Sequence, residues 1–93
     1  MIPETTKKFI DSLIDYYISE AASYKQLARS YSDVVLDVTA TTFGIIVGSD
    51  YSGFLQAYTN QKEKPSLEDT QEFTQIIRVR AAQIKRSILD AKV

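Results

Sequence analysis

The apolar residues of this chain recur in steps of three and four, and no other feature restricts its fold as strongly. Ile10, Leu13, Ile14, Tyr17, Ala21, Tyr24, Leu27, Ala28 and Tyr31 share one helical face, with Lys8, Asp11, Asp15, Ser19 and Gln26 opposite them. Pro3 followed by Glu4 reads as the start of that helix, because Pro is pre-set for a first turn and an early acid faces the helix dipole.

Where this helix ends has two readings. Ser30-Tyr31-Ser32-Asp33 contains good N-cap residues and predicts a break. Yet Ile10, Tyr17, Tyr24, Tyr31, Val38 and Ile45 keep a seven-residue spacing across it. A single unbroken helix would need a partner chain to cover its apolar stripe. The break is the preferred reading, since globular helices rarely exceed about 25 residues. It leaves a monomer or a homodimer open.

Residues 34–47 are rich in Val, Ile and Thr, which favours a strand residue by residue. The alternative hairpin lacks a two-residue turn, however, and Val35, Val38, Thr42 and Ile45 keep helical spacing. A buried helix is expected. Gly48 is its expected end, with Ser49 or Asp50 capping a short helix that carries Tyr51, Phe54, Leu55 and Tyr58. Asn60 to Pro65 reads as a loop. Ser66 is the expected N-cap of a last helix with the core stripe Phe73, Ile77, Ala81, Ile84 and Ile88. The expected fold is all-α: a small antiparallel four-helix bundle, two helices long and two short, forming one domain over residues 1–93.

Composition narrows the chemistry. The chain has 93 residues, with 11 basic and 12 acidic side chains, so no global field draws it to nucleic acid or an anionic membrane. It contains no Cys and no His. Thiol chemistry, Cys or His metal sites and the usual general base near neutral pH are therefore missing. A small domain without disulfides is expected in the cytoplasm. The N-terminus shows no signal-peptide pattern, and the most apolar stretch, Val34 to Val47, is too short and too polar to span a bilayer. No acid/base pair stands out from helix-surface charge, so no enzyme and no cofactor are expected.

Three charged residues fall where apolar ones belong: Glu20 on the first helix, Arg80 inside the last helix's stripe, and Asp37 among Val34, Val35, Leu36 and Val38. A lone buried charge is unfavourable, which predicts that Arg80 pairs with Glu20 or Asp37, or that it reaches water from the rim. The last helix also has an acidic first half (Glu68, Asp69, Glu72) and a basic second half. Dipole complementation is one account of that layout. The other is a docking surface. Arg78, Lys85 and Lys92 lie seven apart, with Ala82 and Leu89 along the same line and Arg86 beside it.

Asp11 with Asp15, Asp33 with Asp37, and Glu68 with Glu72 are carboxylate pairs at helical spacing. Without an EF-hand loop they are expected to be solvated; a weakly bound calcium ion would be sought first at Asp33, Asp37 and Asp50. Gly48 to Gly53 lacks the Lys of a P-loop and reads as a turn. The six Tyr are expected to pack with their hydroxyls at the rim. The expected function is a non-enzymatic protein-interaction module or small accessory subunit, docking through the outer face of the last helix. A nucleic-acid-associated protein and a weak calcium binder are the alternatives.

Overall fold

The computed structural model describes all residues, 1–93, and contains four helices and no strand. They are α1 (Glu4–Ser19), α2 (Ala21–Arg29), α3 (Val38–Asn60) and α4 (Leu67–Asp90). The bundle is expected from the periodicity, but the chain divides it differently. The first apolar run breaks at Glu20, whose backbone (φ −105°, ψ 17°) interrupts the helix, and then ends at Arg29. No Pro or Gly marks the break. Its effect is that Ala21 and Ala28 are the buried residues of α2, while Tyr24 is half-buried and Tyr31 is exposed. The aromatic row thus leaves the core one step at a time.

The second helix begins later than expected and does not stop at Gly48. Residues 30–37 form a connection, and Asp37 caps α3 by accepting the Ala40 N–H at 3.0 Å. Asp37 is thus an exposed cap and not a charge among buried valines. Gly48 is an ordinary helical residue on the outer side of α3, in a backbone with no positive-φ glycine. Ser49 donates to the Ile45 carbonyl and caps nothing. Thr42, Ile46, Asp50, Phe54 and Tyr58 therefore form one continuous buried stripe at four-residue steps.

Helix α3 ends in a left-handed turn. Lys62 has φ 58°, the Lys62 N–H donates to the Thr59 carbonyl, and the Glu63 N–H donates to the Tyr58 carbonyl. Helix α4 begins with the anticipated Ser66 cap, completed into a capping box by Asp69.

The bundle measures 39 × 23 × 19 Å, close to the length of α3 or α4 alone. The bent arm α1–α2 runs alongside both long helices. Ile2 meets Glu72 and Lys25 meets Ile88, so this arm is parallel to α4; α3 is antiparallel to both. The core is mostly isoleucine, with Phe54 stacked on Phe73 at 4.8 Å joining α3 to α4. No helix is long and apolar enough to cross a membrane.

Candidate functional site

The charges of α4 are the place to begin, because its two halves have different surroundings. In the first half, the Met1 ammonium lies 2.9 Å from Asp69, which also accepts the Ser66 N–H. Glu72 accepts the Ile2 N–H at 2.8 Å and pairs with Lys7, also at 2.8 Å. These contacts favour the ionised carboxylates. The Met1 ammonium, helped by the Ser66 N–H, holds Asp69 down to about 2; the Ile2 N–H and Lys7 keep Glu72 below its ordinary range. Burial pushes the Tyr58 phenol up to about 12, and the neighbouring Asp69 carboxylate adds to that effect. The acidic half is thus occupied in fastening the chain's start to α4.

In the second half only Arg80 is engaged. It sits 2.6 Å from Asp15 and 3.5 Å from Asp11, and its Nε donates to Gln83. Pairing was expected, but with different acids. Glu20 lies at the α1–α2 junction and Asp37 caps α3, so neither reaches Arg80. The parallel run of α1 beside α4 brings Asp11 and Asp15 there instead. Their i, i+4 spacing was visible in the sequence, where it read as solvated charge.

The carbonyls at the end of α4 are served from outside the helix. Lys25 donates to the carbonyls of Ile88 and Ala91, at 2.8 and 2.9 Å, while Arg29 donates to Val93, three residues past the helix. Both cations come from α2, and nothing in the local sequence of α4 indicates them. Helix α4 itself has no basic residue in its last turn. Dipole complementation at this terminus is therefore the work of α2.

Arg78, Lys85, Arg86 and Lys92 are then left exposed and in no ion pair. Ala82 and Leu89 lie exposed among them, and Val79 beside them is 75% exposed. Since α4 ends at Asp90, Lys92 lies beyond the helix. The seven-residue line is thus Arg78 and Lys85, alternating with Ala82 and Leu89.

Next to this line is a groove of about 430 Å³ between α3 and α4. Its lining is apolar at Ala40, Phe43, Ala81 and Ala82 and polar at Asp37, Thr39 and Lys85. Phe43 is half-buried, and its role was not visible from periodicity alone. The connection that leads to Asp37 carries Val34 and Leu36, both strongly exposed.

A separate feature lies inside the bundle. Asp50 is fully buried on the α3 stripe, and neither of its carboxyl oxygens has a hydrogen-bond partner. Burial pushes this carboxyl up to about 7, with the Arg80 charge offsetting part of the effect. The four-residue step from Thr42 to Tyr58 contains this information in the sequence, once Gly48 is read as helix interior. Asp33 and Asp37 are exposed, and Asp37 is about 20 Å from Asp50 along the axis of α3. The three carboxylates considered for a metal ion are not brought together, and no other group of three or more His, Cys, Asp or Glu side chains is placed to hold one.

No protein-family model matches the chain, and neither a curated protein nor a solved structure is detectably similar to it.

Proposed function

We propose that this chain is a non-enzymatic interaction module, a small accessory subunit that docks a protein partner through the outer face of the second half of α4. One observation carries this reading. The acids of the first half of α4 are engaged within the fold, and α2 serves its C-terminal carbonyls, yet Arg78, Lys85 and Arg86 stand free beside exposed Ala82 and Leu89. Four exposed cations from Arg78 to Lys92 face a single side-chain carboxylate, Asp90. A locally cationic, partly apolar face on a chain of net charge −1 is suited to an acidic protein surface.

The reading as a non-enzyme is supported by where the unusual carboxyl lies. Burial pushes the Asp50 carboxyl up to about 7, the range that suits a general acid, but the group is fully buried in the core away from any substrate. The cytoplasm is the proposed compartment, on the absence of cysteine.

The test is affinity capture from the source cell with wild type and with the variant R78A/K85A/L89A. The variant is expected to lose the partner while keeping its helical circular dichroism. Equal capture by both proteins contradicts the proposal. Mobility shifts with DNA and RNA across a salt series are expected to show no specific complex; a strongly salt-dependent complex would favour a nucleic-acid backbone as the partner.

A further inference from the structure

The groove and the cation line are adjacent, and together they describe a partner. We infer that the groove between the start of α3 and the second half of α4 accepts an acidic amphipathic helix from another protein. The inference rests on the docking reading above and specifies the chemistry of the partner.

Three observations carry it. First, the floor is made of small side chains. Ala40, Ala81 and Ala82 leave a recess beside the half-buried ring of Phe43, and the recess accepts a bulky aliphatic side chain without displacing the core. Second, residues along α4 alternate cation and apolar at steps of four, three and four: Arg78, Ala82, Lys85, Leu89. The complement is a helix with carboxylates one heptad apart, about 10 Å, and an apolar residue between them. Third, the charges here are unbalanced. One carboxylate, Asp37, lines the groove, whereas three exposed cations that pair with nothing, Arg78, Lys85 and Arg86, lie on the adjoining face of α4.

A protein helix suits this site better than a nucleic acid. The groove's apolar lining of Ala40, Phe43, Ala81 and Ala82 is filled by the aliphatic side chains of an amphipathic helix and is of no use to a phosphate backbone.

The test uses the full chain and a labelled synthetic peptide of about 15 residues, helical by design, carrying Glu and Leu at alternating steps of four and three. A control peptide has Lys at each Glu position. In fluorescence anisotropy the Glu peptide is expected to bind at least about tenfold more tightly than the Lys peptide, and to weaken as salt is added. Ala82→Trp, at an exposed position, plugs the recess; it is expected to weaken the Glu peptide by about tenfold or more with circular dichroism unchanged. Equal binding of the two peptides, or full binding to Ala82→Trp, overturns the inference.

The capture experiment separates this failure from failure of the docking reading. If native partner is lost on R78A/K85A/L89A but kept on Ala82→Trp, docking stands and the groove is excluded. A dimer of the chain alone that Ala82→Trp disperses would place a second copy in the groove, and would also overturn the inference.

Discussion

At the start of α4, Glu72 lies within 2.8 Å of both the Ile2 N–H and the Lys7 ammonium, and Asp69 is held by Met1 and Ser66. Less than two turns beyond Glu72, Arg78 meets no carboxylate, and neither do Lys85 and Arg86 further along. The two halves belong to one helix and carry comparable charge, so intrinsic helix chemistry does not explain the difference. What differs is the neighbour. The start of the chain returns to cover the acidic half, and α2 places Lys25 and Arg29 at the far end without touching the outer cations. Charges that fold the molecule are thereby distinguished from charges that folding leaves unused. The core repeats the contrast: two buried carboxyls have opposite surroundings, with Asp69 held down to about 2 and Asp50 pushed up to about 7.

The largest expected effect comes from Asp50. Its folded-state value lies above the ordinary 3.8, so its stabilisation is complete below that value, declines as pH rises from 3.8 to about 7, and is flat above. The total is of the order of 4 kcal/mol. Asp50→Asn removes the titration, so this variant is expected to exceed wild type by up to about 4 kcal/mol at pH 8 and to match it near pH 4. Urea unfolding at the two pH values checks this. Equal stability of variant and wild type at pH 8 would mean that Asp50 finds a partner.

Two smaller changes concern helix ends and interior. Ser66→Ala removes the side-chain half of the capping box and is expected to lower stability by about 1 kcal/mol. Gly48→Ala is expected to raise it by about 1 kcal/mol, because Gly48 is exposed in mid-helix and an added Cβ meets nothing within 4 Å. If Gly48→Ala destabilises instead, α3 is interrupted there.

The acidic half gives a weaker and oppositely signed pH effect. Glu72 is held below its ordinary 4.5, so its contribution is present above that value and is lost as pH falls through the lowered one. Lys7 and Glu72 are both partly solvated, which keeps the contribution modest. Glu72→Gln is expected to shrink the acid limb of a melting-temperature profile without removing it, since Asp69 is also held low there, and to leave the Asp50 limb unchanged. Together the acid limb of Asp69 and Glu72 and the Asp50 limb place maximum stability near pH 4.

Much of the fold was legible in the sequence because it depends on local patterns. The apolar spacing of α4, the Ser66 cap and the loop at Pro65 are each set by a few neighbouring residues. The interruption at Glu20 was not legible, since no breaker stands there and the apolar phase runs through it. Continuity at Gly48 was misread for the opposite reason: a residue that often ends helices here lies within one, where the stripe from Thr42 to Tyr58 packs on both neighbouring arms. The candidate site followed the same rule. The exposed positions of Arg78, Ala82, Lys85, Arg86 and Leu89 were expected from periodicity alone. The partners of Arg80, and the service of the α4 terminus by Lys25, depend on which arm lies parallel to α4, and spacing within one helix does not encode that.

The central claim is that the cations on the outer face of α4 are not needed for folding and are available for binding. The most direct measurement is a paired one on the variant R78Q/K85Q/R86Q: its urea midpoint, and its affinity for the acidic helical peptide. The account predicts stability within about 0.5 kcal/mol of wild type and an affinity at least about tenfold weaker. A stability loss above about 1.5 kcal/mol, comparable with that of a lost cap, or unchanged peptide affinity, would contradict it.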